Sequence, residues 1–228
     1  MVHEFTFIGK HHRENNMGAQ DYTCFEEGPR YLVTVLADGV STCPDSYEGA
    51  KVCCEALKAI LFAKADYFFE FDTDKIKDLV MSHVLYELRK HVELKSGTIE
   101  DYSSTLAGVL YDKKEERYIT LSVGDSLIVG SGFGKCEILS MPYDSTSGCP
   151  ATTTNNVLEV TEVKISDSAN YETITIFTDG AWRELYDRNN MKENVKSALI
   201  SGDFKCIEDL LTTSEPFDDS SFITAILV

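Results

Sequence analysis

Positive charge is scarce in this sequence: 21 Lys and Arg stand against 38 Asp and Glu, a formal net charge of −17 over 228 residues. A chain so acidic repels a phosphate backbone and an anionic bilayer, so neither nucleic acid nor membrane is expected as a partner. Long apolar runs are lacking too, and none reaches the roughly 20 residues that a membrane-spanning helix needs. The seven cysteines (Cys24, Cys43, Cys53, Cys54, Cys136, Cys149 and Cys206) are odd in number and have no paired Cys-x-x-Cys spacing, which argues against a zinc site. They read as reduced thiols. With no apolar signal region before the first strand, a cytoplasmic location is expected. No linker-like stretch divides the chain, so a single domain over residues 1–228 and a monomer are expected.

What is present begins with Leu36-Ala-Asp-Gly-Val-Ser41. It follows Tyr31–Leu36, a run of large and β-branched residues that reads as a buried strand and ends on a carboxylate followed by glycine. Glycine there lets the backbone turn sharply and brings its carbonyl close to a ligand without a Cβ in the way. The same device recurs where Thr173–Thr178 runs into Asp179-Gly180. Two Asp-Gly strand ends make a paired acidic site.

The remaining texture is mixed. Glu4–Gly9 alternates as a half-buried strand, Lys10–Asp21 reads as a polar loop, and Tyr22–Phe25 pairs with the next strand through a turn at Glu26–Pro29. Helical spacing of Ala50, Cys53, Cys54, Leu57, Ile60 and Leu61 predicts a helix from about Asp45 or Ser46 to residue 64. A second is predicted over Thr73–Glu93, with His83 on its apolar stripe as a core histidine. From Ser104 the pattern is β: Ser104–Tyr111, Tyr118–Val123, then Leu127–Ser131 and Cys136–Met141 completing a meander. Pro142–Asn156 reads as a surface loop, Val157–Ile165 as a strand, and Ala181–Tyr186, Met191–Ile200 and Phe204–Thr212 as helices, before a closing strand Phe222–Val228. This order predicts an α+β chain with a sheet-on-sheet core and helices outside.

Acids recur at the strand ends: Asp21, Asp38, Asp125, Asp179 and the pair Asp218-Asp219. A single such Asp is more often a helix cap or a turn residue. Together they are the oxygen donors that a pair of hard cations such as Mg or Mn requires from separate segments.

Gln20-Asp21, Ala37-Asp38-Gly39, Ser104-Thr-Leu106, Val123-Gly-Asp-Ser126, Thr178-Asp-Gly-Ala-Trp182 and Asp218-Asp-Ser-Ser221 follow the order of the signature motifs of the metal-dependent protein phosphatases. The chain resembles that family (PPM, or protein phosphatase type 2C) over nearly its whole length, and its lead-in Gly9-Lys-His-His12 is similar to a compact, mainly bacterial subgroup. The resemblance implies an αββα sandwich of two antiparallel sheets flanked by helices, with a two-metal cleft at one end. It implies hydrolysis of phosphoserine and phosphothreonine proteins by metal-activated water, with no phosphoenzyme. By position, Asp38 resembles the carboxylate that bridges the metals and Gly39 the carbonyl donor. Asp179 and Asp218 resemble ligands of the other metal, with Asp219 the alternative to Asp218. Asp21 resembles the acid that orders metal-bound water, and Asp125 a ligand of a third, weaker cation found in part of the family.

Two departures matter. Many members carry a histidine, a candidate general acid, where Val40 stands, and Asn16 stands where an arginine grips phosphate in many relatives. Lys and Arg are scarce near the other motifs, so Arg13 or His12 is expected to anchor phosphate. The alternative reading is a catalytically inactive relative that binds a phosphoprotein or a regulatory partner. No Cys-x5-Arg loop is present, so Cys53 and Cys54 are expected in the core. Trp182 is expected to be a packing anchor beneath the metal loop. The short segment between Asp125 and Asp179 leaves little room for a large flap.

Overall fold

The computed structural model describes the chain except residues 96, 144–148, 168–169, 188–189 and 228. In chain order the elements are β1 (Val2–Phe7), α1 (Lys10–Glu14), β2 (Asp21–Glu27), β3 (Tyr31–Asp38), α2 (Ser46–Ala63), α3 (Ala65–Phe68) and α4 (Thr73–Glu93). After a 3-10 turn at Ile99–Tyr102 come β4 (Leu106–Asp112), β5 (Arg117–Val123), β6 (Leu127–Gly132), β7 (Lys135–Ser140), α5 (Val157–Val160), β8 (Glu162–Asp167) and β9 (Thr173–Phe177). The chain ends with α6 (Asp179–Leu185), the short pair β10 (Tyr186–Asp187) and β11 (Asn190–Met191), α7 (Glu193–Ser201), α8 (Phe204–Ser214) and β12 (Ser220–Ile226).

Two five-stranded antiparallel sheets stack face to face, one in the order β2-β3-β4-β5-β8 and the other β1-β12-β9-β6-β7. Strand alternation explains the layers. Leu32 and Leu36 of β3 meet Val109, Ile128, Ile174, Ile176 and Ile223 between the sheets, while Val33, Val35 and Ala37 face α2 and α4 on the outside. Because both faces of β3 are covered, its sequence is a continuous apolar run rather than an alternating one. On the opposite side Phe177 and Phe222 turn outward under α6, α7 and α8. The result is the four-layer αββα sandwich.

α4 has the predicted bounds, and Asp72 accepts the Lys75 amide at 2.8 Å to cap it. Four expectations change. The predicted loop at Lys10–Asp21 contains α1, because Lys10 and His11 donate their amides to Pro216 and Phe217 carbonyls and His12 is buried beneath them. β6 and β7 do not extend the β4–β5 meander: the chain crosses to the other sheet at Gly124, whose φ of +106° only glycine takes readily. Val157–Val160 is one helical turn, not strand. Val157 packs on Met81 and Val123, and the Thr161 hydroxyl donates to the Val157 carbonyl at 2.6 Å, so β8 starts only at Glu162. His83 is half-buried in the groove between α2 and α4, since Ile76, Val80, Met81, Val84 and Leu88 already fill the inward stripe. Part of the predicted 142–156 loop and the last residue of the predicted closing strand lie outside the described residues. Among the described residues no helix is long and apolar enough to cross a membrane.

At Gly49 of α2 a methyl group would overlap the backbone carbonyl of Tyr102. Ala is the better helix former by about 1 kcal/mol. Overpacking against rigid backbone costs more, so Gly49→Ala should lower stability by about 2 kcal/mol or more. Urea denaturation measures it; an unchanged or higher midpoint would contradict the close approach.

Candidate metal centre

The β2–β3 register puts Asp21 directly opposite Asp38 at one end of the sheet. Asp38 is fixed by Thr105, whose hydroxyl accepts the Asp38 amide at 3.0 Å and whose amide donates to the Asp38 carbonyl at 2.8 Å. Gly39 follows, its amide on the Gln20 carbonyl at 3.2 Å and its Cα so close to Ser46 of α2 that a side chain would crowd it. From the other sheet, β9 delivers Thr178 and Asp179 beside the start of β12. The Thr178 hydroxyl accepts the Ser221 amide at 2.9 Å and donates to Asp21 Oδ2 at 3.2 Å, joining the two sheets at the site.

Asp218 and Asp219 have opposite fates. Asp219 is 2% exposed, and its carboxylate accepts the Gly9 amide at 2.7 Å, the Gln20 amide at 2.6 Å and His12 Nδ1 at 2.8 Å. Those bonds saturate it. Asp218 is half-buried, and its charge bears on Asp38. The pair is gripped by two glycines: a methyl at Gly9 would overlap the Asp218 backbone, and one at Gly180 the Asp219 carbonyl.

The electrostatics are those of crowded carboxylates. Burial, then the charges of Asp21, Asp179 and Asp218, hold the Asp38 carboxyl well above the usual range. Burial raises Asp21 to about 7, against hydrogen bonds from Ser221 and Thr178 that favour its charged form. Asp125 and Asp218 are raised as well, first by burial and next, for Asp125, by the charge of Asp179. Two buried carboxylate oxygens, Asp21 Oδ1 and Asp179 Oδ1, have no hydrogen-bond donor among the described residues. All these donors are hard oxygens, so the residues fit Mg or Mn. Among the described residues no three His, Cys, Asp or Glu side chains already stand in a ligating arrangement, so a cation would have to draw these acids inward.

The structure thus brings Asp21, Asp38, Asp179 and Asp218 together and places Asp125 beside Asp179. His12 is 2% exposed with Nδ1 on Asp219, which gives it an anchoring position inside the loop rather than an open one. Arg13 is exposed, with its guanidinium 4.9 Å above the Phe7 ring, and pairs with no acid among the described residues. Val40 is half-buried behind Gly39. Trp182 donates its indole N–H to the Asp125 carbonyl at 2.8 Å and packs edge-on against Tyr186, while Cys53 and Cys54 are fully buried.

Sequence reasoning missed Arg183, whose Nη1 lies 2.6 Å from Asp179 Oδ2 and whose Nη2 lies 3.6 Å from Asp125 Oδ2. The available signal was its i,i+4 spacing from Asp179 at a helix start. The Cys149 thiol, which lies beside Asp125 and donates to the Pro150 carbonyl at 3.5 Å, had no local signal at all.

A carboxyl whose folded pKa is raised binds its proton more tightly folded than unfolded, so stability falls as pH climbs between the two values. For Asp21, raised from 3.8 to about 7, that window runs from about pH 4 to 7. Metal-free protein should therefore be less stable at pH 8 than at pH 5 by on the order of a few kcal/mol. Urea titrations in EDTA measure this, with Asp21→Asn expected to shrink the difference; greater stability at pH 8 would contradict the crowding of these acids.

No curated protein sequence matches the chain. Among solved structures it is similar to the serine/threonine phosphatase Stp1 of Staphylococcus aureus, at 16% identity and a TM-score of 0.71, with 99% of this chain and 94% of that one covered. It is also similar to the S. agalactiae serine/threonine phosphatase, at 16% identity and a TM-score of 0.68, with 99% of both chains covered. RsbX in complex with magnesium matches at 14% identity and a TM-score of 0.60, over 98% of this chain and 92% of that one. These likenesses carry the fold. The family described as Protein phosphatase 2C matches residues 8–202, from the Gly9 lead-in through Asp179 but short of Asp218. The chain belongs to the protein phosphatase 2C family, the metal-dependent phosphoprotein phosphatases.

Proposed function

We propose that this chain removes phosphate from phosphoserine and phosphothreonine in proteins, with two divalent cations, Mg or Mn, held at the acidic end of the sandwich. The observation that carries the reading is the meeting of Asp21, Asp38, Asp179 and Asp218 from separate strand ends, with buried carboxylate oxygens that have no hydrogen-bond donor among the described residues. When bound, such cations supply an acidified water nucleophile and neutralise the phosphoryl oxygens.

The residues that would hold them are Asp38, on which the charges of the other acids bear, with Asp179, Asp218 and the carbonyl of Gly39. Asp21, tied to Thr178 and facing Asp38 across the strand pair, orients water at the site. Asp219 holds the Gly9–Gln20 loop in place from behind and is not in the ligand set. Val40 has no proton to give, so the leaving alkoxide takes its proton from water. Arg13, exposed and without an acid partner among the described residues, is the proposed phosphate anchor; His12 is engaged by Asp219. A cytoplasmic protein acting as a monomer on phosphoproteins accords with this reading.

Hydrolysis of p-nitrophenyl phosphate should require added Mn or Mg and stop in EDTA. Activity that survives exhaustive chelation would rule the mechanism out. Asp38→Asn and Asp179→Asn should each lower kcat by about a hundredfold or more, since each removes a charged ligand. Cys53→Ser should leave the rate per folded molecule nearly intact, and the reverse pattern would refute these assignments.

Arg13→Ala should raise KM for a phosphopeptide roughly tenfold, equivalent to losing a charge-assisted contact of about 1.5–3 kcal/mol, with Mn affinity unchanged. An unaltered KM would leave the phosphate to the metal centre alone.

A further inference from the structure

We infer that Arg183 is a built-in cation of this centre: fixed between Asp125 and Asp179, it keeps a further divalent ion from binding between those two acids and limits the chain to two. The inference rests on the two-cation reading above. Arg183 reaches Asp179 Oδ2 at 2.6 Å and Asp125 Oδ2 at 3.6 Å, so one guanidinium spans both carboxylates. Asp179 is divided by this contact. Its Oδ2 is taken by Arg183, while Oδ1 is buried with no hydrogen-bond donor among the described residues, so the same side chain can hold the arginine and still offer an oxygen to a cation.

Asp125 has less to offer. It lies beside the Cys149 thiol and meets Arg183 at 3.6 Å. Its main chain is held as well, by the Trp182 indole N–H on its carbonyl at 2.8 Å. The Arg183 guanidinium carbon lies 5.6 Å from the centre of that Trp182 ring, so neighbouring residues of α6 fix both Asp125 and the cation facing it.

The contact is poorly explained as a device for stability. The Arg183 side chain is 57% exposed, and ion pairs in that setting contribute little. What it does supply is a permanent positive charge, since a guanidinium keeps its proton at any accessible pH. A divalent ion entering between Asp125 and Asp179 would have to displace that charge or sit against it. Asp125 therefore has its counter-ion in the chain itself.

The test is a count of bound Mn by equilibrium dialysis at millimolar Mn, on variants shown by circular dichroism to be folded. The wild type should bind two ions and Arg183→Lys, which keeps the charge, also two. Arg183→Gln should gain a third, weaker ion, and the double variant Arg183→Gln/Asp125→Asn should return to two. Three ions on the wild type, one of them lost in Asp125→Asn, would overturn the inference. So would two ions on Arg183→Gln. Fewer than two ions on the unsubstituted chain would instead refute the two-cation reading and take this inference with it, and the wild-type count alone distinguishes that case.

Discussion

The buried carboxylate of Asp219 is the contact on which the working end of this molecule depends. A carboxyl group with 2% exposure is tolerated only if hydrogen bonds replace its lost hydration, and Asp219 obtains them from Gly9, His12 and Gln20, about 200 residues away in sequence. Gly9 follows β1 and Gln20 precedes β2, which belong to different sheets. One carboxylate therefore sets how the two sheets meet at the site, and with it the position of Asp21 relative to Asp179. The glycines at 9 and 180 follow from the same constraint, because any side chain there would push the Asp218–Asp219 backbone away.

Around this anchor the fold holds acids that repel one another. Their raised pKa values record the cost: burial and mutual charge favour the protonated forms of Asp21, Asp38, Asp125 and Asp218. A site of this kind favours positive charge at the expense of its own stability, a common tension at functional sites. The surrounding layers supply what the site withholds. Leu32, Leu36, Ile174, Ile176 and Ile223 between the sheets, and the apolar residues packed beneath the helical layers, are almost wholly removed from water.

The acidity of the chain as a whole, −17, says nothing about where cations bind, and the centre shows why. Charge becomes chemistry only where burial removes its hydration and neighbours remove its freedom. Asp219, Asp38 and Asp125 are the same residue type within one region. The first is saturated by hydrogen bonds, the second is surrounded by like charge, and the third faces an arginine.

What the sequence determined by itself was local or repeated. Strand ends at Asp38 and Asp179, the helix over Thr73–Glu93 and the buried thiols of Cys53 and Cys54 follow from apolar periodicity and from glycine after a carboxylate, signals contained in a few neighbouring residues. The ordered set of acidic motifs added the family and the four-layer arrangement. The tertiary structure decided everything that depends on a distant partner. The crossing at Gly124 between sheets, the turn of helix at Lys10–Glu14 held by Pro216 and Phe217, and the one at Val157–Val160 packed on Met81 could not be read from local pattern. Nor could the separate duties of Asp218 and Asp219, or the placing of Arg183 against Asp125. Adjacent acids have the same propensity. What separates them is which buried amides and which charges the fold brings to each, and hydrogen-bond partners and desolvation are properties of the packed chain.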